Sequence, residues 1–161
     1  MTARASVRDR QRTAKRSDED PARRSQAAVG GECARPRARG KFLFVGEEKL
    51  YVRGATYGTF RPDAGGRLYP APAVVARDFS KMAANGFNAV RTYTVPPRWL
   101  LDVAAENGLF VMVGVAWEQH VDFLEDRSRA RSIEHRVRSA VGSCAGHPAV
   151  LSYAVGNEIP S

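Results

Sequence analysis

Apolar and polar residues alternate along the chain from Phe42 onwards in a way that predicts strands and helices in turn. Two short apolar runs, Phe42–Val45 and Leu50–Arg53, flank a glycine-containing turn and predict a β-hairpin. The second arm of this hairpin is expected to continue through residues 54–57 as a further strand. A loop rich in glycine and proline follows over residues 58–72.

Three alternations of helix and strand follow this loop. The apolar spacing predicts helices over residues 74–85, 98–106 and 128–144, and strands over residues 87–93, 109–115 and 149–155. Gly86 follows the first helix at the position where a C-cap glycine belongs. The order β-α-β-α-β-α-β predicts a parallel sheet with right-handed crossovers.

Two architectures fit this order, an open doubly wound sheet and a TIM (β/α)8 barrel. The first requires a G-x-G-x-x-G turn after the first strand, which the sequence does not have there. Residues suited to binding follow every predicted strand, and barrel active sites lie at that end of the strands. They are Tyr57, Arg91 with Tyr93, Trp117 with His120, and Asn157 with Glu158.

We therefore predict an α/β fold that is the amino-terminal half of a TIM barrel. It would contain about four β/α units, preceded by a β-hairpin and a disordered basic tail. A full barrel of this type needs about 250 residues, so we expect the 161-residue chain to be a fragment. Because a half-barrel has unpaired strand edges, we expect the isolated chain to self-associate through them.

The net charge of +8 is concentrated before the first predicted strand. Residues 1–41 hold 12 Lys and Arg against 5 Asp and Glu, whereas residues 42–161 hold 13 against 12. Residues 1–40 also nearly lack large apolar side chains, so we predict a disordered tail there and a partial barrel over residues 41–161. No nucleic-acid partner is expected for the near-neutral barrel, and an arm that contacts nucleic acid or anionic lipid is the alternative for the tail.

The rest of the composition argues against several classes of protein. No apolar run approaches the about 20 residues of a membrane span, and no signal peptide is visible, so we expect a cytoplasmic protein without membrane insertion. The two cysteines, Cys33 and Cys144, are far apart, and we expect no disulfide between them. No spacing typical of metal ligands occurs, so we expect neither a metal nor a cofactor.

Glu158 follows the last predicted strand, next to Asn157. A carboxyl group held partly desolvated at a barrel mouth has a pKa raised toward neutrality. Such a group can protonate a glycosidic oxygen and later deprotonate water, and the neighbouring amide of Asn157 can bind a sugar hydroxyl. The alternative is that the two residues only cap a following helix.

Arg91 lies within an otherwise apolar strand, where an unpaired charge would be very costly. It therefore needs a carboxylate. That carboxylate is either a catalytic one that Arg91 orients, or a structural partner such as Asp78 or Glu158.

Three aromatic residues and one histidine complete the candidate site. Aromatic planes suit the apolar C–H faces of sugar rings, and a histidine can bind a sugar hydroxyl. Ordinary core packing is the alternative for each aromatic residue. The four candidates are Tyr57, Tyr93, Trp117 and His120.

Four features of the sequence form a recognisable set: the hairpin leading into Arg53-Gly54, the strand over residues 87–91, the region of Trp117, and the run Gly156-Asn157-Glu158. Together they resemble the clan A retaining glycoside hydrolases over about three quarters of the chain. The resemblance implies that Glu158 is the general acid/base, that Asn157 binds the sugar 2-hydroxyl, and that Arg91 supports the nucleophile. It also implies a carbohydrate substrate with a β-linkage.

In that clan the nucleophile is a glutamate that closes the seventh strand, and the chain stops before such a strand. We therefore expect the fragment itself to be inactive, since a retaining mechanism needs two carboxyl groups about 5–5.5 Å apart. The runs over residues 57–62 and 91–97 are also similar to the hydrolase-like region of bacterial proteins fused to a family 2 glycosyltransferase. The alternative function is accordingly a non-catalytic glycan-binding or scaffold module of such a polysaccharide-synthesis protein.

Overall fold

A computed structural model of the chain describes residues 34–117, 123 and 125–156. The described part opens with a three-stranded antiparallel sheet of β1 (Pro36–Arg39), β2 (Phe42–Val45) and β3 (Glu48–Leu50), in that order. A tight turn at Gly46 and Glu47 joins β2 to β3, and Gly46 has a φ of 59°, which glycine adopts without strain. The predicted hairpin is therefore confirmed, but its second arm ends at Leu50 and does not continue into residues 54–56, which belong to a different sheet.

Strand β1 lies within the segment that the sequence predicted to be disordered. The side chains of Arg37 and Arg39 both bind the carboxylate of Glu47, at 2.9 and 2.8 Å. The guanidinium carbon of Arg39 also lies 4.5 Å from the centroid of the Phe44 ring. The prediction was thus wrong for the end of the tail, because these arginines have an acidic and an aromatic partner on the hairpin. Residues 1–33 lie outside the described residues.

A second sheet contains four parallel strands in sequential order: β4 (Gly54–Thr56), β5 (Ala89–Thr92), β6 (Phe110–Gly114) and β7 (Val150–Ala154). Its register pairs Thr56 with Arg91, and Arg91 with Met112. The sheet confirms the predicted parallel α/β order. Its strands are shorter than the apolar runs, because some apolar residues at the strand ends lie in the connecting loops.

Three helices connect these strands: α1 (Pro72–Ala84), α2 (Arg98–Glu106) and α3 (Arg127–Cys144). A proline suits the first turn of α1, since the amide hydrogen that it lacks would have no partner within the helix. The carboxylate of Asp126 caps α3 by accepting hydrogen bonds from the backbone N–H groups of Ser128 and Arg129, both at 3.0 Å. In the part of the chain that the structure describes, no helix is long and apolar enough to cross a membrane.

The main core lies between the helices and one face of the parallel sheet. Its fully buried side chains come from both layers and include Val75, Phe79, Val90, Leu100, Leu101, Val111 and Val113. Alternate strand residues point to the other face, and there Arg91 and Met112 are half-buried while Thr56 is exposed. Over the described residues, the helices therefore cover one face of the sheet, and the face that carries Arg91 is more open to solvent.

Candidate functional site

Because the four strands of the second sheet are parallel, their carboxyl ends lie along one edge. We call this edge the carboxyl rim and define it by the residues at or just after the strand ends: Tyr57, Arg91, Tyr93, Trp117 and Val155. The structure thus brings four of the predicted site residues to the same edge of one sheet.

Arg91 and Tyr93 contact each other at the end of β5. The guanidinium carbon of Arg91 lies 4.8 Å from the centroid of the Tyr93 ring, a cation–π geometry. Tyr93 is 39% exposed, so part of its surface is open to a ligand. This pair places a cation and an accessible aromatic ring together on the rim.

Tyr57 is directed away from the rim and into the core. Its ring meets those of Phe60 and Phe79 edge to face, each at 4.9 Å, and only 8% of the residue is exposed. Its hydroxyl donates a hydrogen bond of 3.0 Å to the carboxylate of Asp78. Burial and this carboxylate both raise the pKa of the Tyr57 phenol above its ordinary value, so the hydroxyl keeps its proton. The placement favours the packing role that the sequence left open for Tyr57.

Asp78 is one of the two carboxylates predicted as a possible structural partner for Arg91. In the structure its two oxygens serve other groups: one accepts from Tyr57 and the other lies 3.4 Å from the guanidinium of Arg77. The described contacts of Asp78 therefore do not support its pairing with Arg91, although Arg91 is not without a partner.

Trp117 connects the loop after β6 to the end of β7. Its indole Nε1–H donates a hydrogen bond of 2.6 Å to the carbonyl oxygen of Val155. Its ring meets the ring of Phe123 edge to face, with centroids 5.2 Å apart. The backbone N–H of Val115 donates to the carbonyl of Ala154 at 2.9 Å, so the pairing of β6 with β7 also continues past the strand ends.

Gly114 lies at the end of β6, directly against the backbone after β5. A Cβ atom at this position would lie 2.7 Å from both the carbonyl carbon and the oxygen of Tyr93, and it would overlap the carbonyl oxygen of Thr92. Only glycine permits this approach, which sets how near Tyr93 lies to the loop that carries Trp117. The sequence analysis missed Gly114, whose one signal is a glycine at the end of an apolar run.

The amino ends of the strands contain a different group of polar contacts. The side-chain oxygen of Asn88 accepts from the backbone N–H of Arg53 at 2.7 Å, and its Nδ2 donates to the carbonyl of Tyr51 at 2.9 Å. The Nε of Arg53 donates to the carbonyl of Gly86 at 2.8 Å. These bonds attach the segment before β4 to the segment before β5.

His147 is buried beside the start of β7. Its Nδ1 accepts a hydrogen bond of 3.1 Å from the backbone N–H of Ala149, so the ring proton of the neutral form lies on Nε2. That nitrogen donates to the Asp102 carboxylate of α2 at 2.9 Å. His147 therefore joins α2 to β7 and has no nitrogen left for a ligand.

Three predicted site residues, His120, Asn157 and Glu158, lie outside the described residues. Cys144 is buried and carries a free thiol. Within residues 34–117, 123 and 125–156, no group of three or more His, Cys, Asp or Glu side chains is arranged to hold a metal ion.

Residues 37–161 match the family described as glycosyl hydrolases family 2, TIM barrel domain. The chain belongs to this family. The family 2 barrel accounts for the parallel sheet with its helices on one face. It confirms the predicted fold class, and it confirms that the chain resembles a glycoside hydrolase barrel.

Several proteins are similar to this family 2 chain. A β-galactosidase from Vibrio cholerae serotype O1 is 29% identical over 123 residues, which cover 72% of this chain and 12% of the relative. The β-glucuronidase of Ruminococcus gnavus, in complex with a C6-substituted uronic isofagomine, has a TM-score of 0.63 at 20% identity over 79% of this chain and 22% of that one. Saccharomyces cerevisiae Gas2p, in complex with laminaripentaose, has a TM-score of 0.61 at 21% identity over 78% and 31%. The family 2 chain thus spans about an eighth of the β-galactosidase that it matches.

Proposed function

We propose that the chain forms part of a retaining glycosidase that acts on β-linked glycosides, with Glu158 as its general acid/base. The observation that carries the proposal is the carboxyl rim of a family 2 barrel, where Arg91, Tyr93 and Trp117 lie at the strand ends. Glu158 follows β7, whose end is joined to this rim by Trp117. Since the chain spans a small part of its relative, the activity is proposed for the whole protein.

The proposed reaction has two steps that use the same carboxyl group. In the first, the protonated Glu158 carboxyl donates its proton to the glycosidic oxygen as the bond to the anomeric carbon breaks and a second carboxylate attacks that carbon. In the second, the Glu158 carboxylate takes a proton from water, which displaces the second carboxylate from the sugar. Asn157 is proposed to bind the sugar 2-hydroxyl beside the acid/base.

Two of the described rim residues have proposed roles beside the acid/base: one stabilises a carboxylate and the other contacts the sugar. The guanidinium of Arg91 is directed to the open face of the sheet, where a cation stabilises a carboxylate in its ionised form. The exposed part of Tyr93 offers an aromatic surface to the sugar. His120 is proposed to bind a sugar hydroxyl. The buried Tyr57 is left out of the proposed substrate site.

The names of similar proteins support a β-glycoside as the substrate class. They include a β-galactosidase and a β-glucuronidase, and two of the similar structures are complexes with an isofagomine derivative and with laminaripentaose. A cytoplasmic location and self-association of the isolated chain stay predictions.

Substitution Glu158→Gln in the intact protein tests the proposal. The amide cannot donate the proton, so kcat/KM on alkyl β-glycosides should fall by about 10²–10⁴-fold. Aryl glycosides with acidic phenol leaving groups should lose less in the first step, because their departure needs less protonation. The matched control is Glu134→Gln on α3, where the carboxylate is exposed and paired with Arg138 at 2.8 Å.

Equal activity of the Glu158→Gln and Glu134→Gln variants would contradict the role of Glu158. A wild-type protein that binds β-glycosides but hydrolyses none of them would instead indicate the non-catalytic glycan-binding alternative.

A further inference from the structure

Trp117 was predicted as a sugar-stacking platform, but the structure gives its indole two contacts within the chain. The Nε1–H donates to the carbonyl of Val155 at the short distance of 2.6 Å. The ring also meets Phe123 edge to face, with an interplanar angle of 89°. Stacking on a sugar would require neither contact, whereas both would hold the indole in one orientation.

The carbonyl that Trp117 binds belongs to the first residue after β7. Strand β7 ends at Ala154, whose carbonyl accepts a backbone hydrogen bond from Val115 at 2.9 Å, the last between these two segments in the part of the chain that the structure describes. The next residue, Val155, is 48% exposed, so its side chain is only partly held by packing. The indole hydrogen bond therefore holds the backbone at the point where it leaves the sheet.

We infer that Trp117 is a positioning residue for the acid/base segment. By binding the Val155 carbonyl, it sets the direction in which the backbone leaves β7 toward Asn157 and Glu158. The inference rests on the proposed function, because it gives Trp117 a role in placing the proton donor rather than in contacting the sugar. Since a displacement of about 1 Å at a reacting group can cost on the order of 10²-fold in rate, one such bond is sufficient for a measurable effect.

Substitution Trp117→Phe in the intact protein removes the N–H donor and keeps an aromatic ring beside Phe123. We expect kcat to fall by about 10-fold to 10²-fold with little change in KM, since the substrate still binds but the acid/base is misplaced. The pH–rate profile should also shift, because the carboxyl group of Glu158 would lie in a changed environment. The matched control is Trp99→Phe on α2, where the indole packs against the core and the same chemical change should leave both constants nearly unaltered.

A rise in KM with kcat unchanged would overturn the positioning role and favour sugar stacking. Loss of secondary structure by circular dichroism would show that the variant misfolds. The decision would then come from the wild-type protein, where the inference predicts much slower hydrogen exchange for the Trp117 indole N–H than for a solvent-exposed indole, and rapid exchange would overturn it.

Hydrogen exchange also separates this inference from the proposed function. In Trp117→Phe, the backbone amides of residues 154–156 should exchange faster than in Trp99→Phe, whether or not the protein hydrolyses any glycoside. Unchanged exchange there would overturn the positioning role even if the Glu158→Gln experiment supports the enzyme. Faster exchange in a protein whose Glu158→Gln variant keeps full activity would instead remove only the catalytic part of the proposal.

Discussion

The amino ends and the carboxyl ends of the parallel strands are held by different kinds of contact. At the amino ends, Asn88 bonds to the backbone of Arg53 and Tyr51, and the buried His147 joins Asp102 to β7. At the carboxyl rim, Tyr57 is buried, whereas Arg91, Tyr93 and Trp117 are half-buried or exposed and contact their neighbours through a cation–π pair and an indole hydrogen bond. In a β/α barrel, the amino ends contribute mainly stability, whereas the carboxyl ends hold the site. The two ends therefore suggest that stability and binding are separable in this chain.

The largest effect is expected from a substitution at the rim that lowers both the stability of the fold and the affinity for a glycoside. In Gly114→Ala, the added Cβ would overlap the backbone of Thr92 and Tyr93, so the rim must move. Overpacking of this kind costs about 3 kcal/mol, and we also expect weaker glycoside binding because Tyr93 is displaced. Urea denaturation and calorimetric titration with a β-glycoside would measure the two effects.

Gly142→Ala is the control for this substitution. Gly142 lies on α3, and a Cβ atom added there would have open space around it, so alanine should preserve or slightly raise stability. Stability of Gly114→Ala equal to that of Gly142→Ala would contradict the close approach at the rim.

A smaller effect, confined to stability, is expected at the amino ends. Asn88→Ala removes the acceptor for Arg53 N–H and the donor to the Tyr51 carbonyl, which should cost about 1–2 kcal/mol. Glycoside affinity of the folded protein should remain unchanged, because the substitution lies at the far end of the strands from the rim. Denaturation with parallel titration measures both.

Asn88→Asp should fall between the wild type and Asn88→Ala, since it keeps the acceptor and loses the donor. Asn107→Ala serves as a further control, because among the described residues its side chain donates a hydrogen bond to the carbonyl of Val103, one turn earlier in the chain. A loss of glycoside affinity in Asn88→Ala at full folding would show that the two ends are coupled.

The smallest effect is expected at Asp126, on the segment that leads from the rim into α3. The backbone N–H groups of Arg129 and Ser128 hold the pKa of this carboxyl below its ordinary value. Its contribution to stability is therefore complete above the ordinary carboxyl pKa of about 4 and is lost as the pH falls through the lower folded value. In thermal scans, Asp126→Ala should have a lower Tm than the wild type at pH 7, and this difference should shrink below about pH 4.

Asp126→Asn keeps a capping oxygen without a titrating group, so its Tm should depend less on pH in this range. A Tm difference between Asp126→Ala and the wild type that stays constant down to about pH 2 would contradict the charged cap.

Local patterns were sufficient to predict the order of the helices and strands. Helix α2 was predicted over residues 98–106 and forms over Arg98–Glu106, because its apolar spacing and its flanking proline and Asn-Gly agree. The apolar residues around Arg91 on β5 likewise made this charged residue stand out. Such features depend on neighbours in sequence and can be read without the tertiary structure.

Contacts between distant segments could not be predicted in the same way. The need for glycine at position 114 arises from the backbone of Thr92 and Tyr93, at the end of another strand. The burial of His147 depends on Asp102 across 45 residues, and nothing adjacent to the histidine indicates this partner. Trp117 was assigned to the correct rim, but the acceptor of its N–H is a backbone carbonyl, which no sequence motif reveals.

The salt bridges from Glu47 to Arg37 and Arg39 make residues 36–39 part of the fold. A shortened protein that starts at residue 41, as composition alone would suggest, would lose β1 entirely. The outer edge of β2 would then present unpaired N–H and C=O groups, an edge that other chains can join and that promotes aggregation. Shortened versions intended for crystallisation or spectroscopy should therefore start before Pro36 and keep Glu47 unchanged.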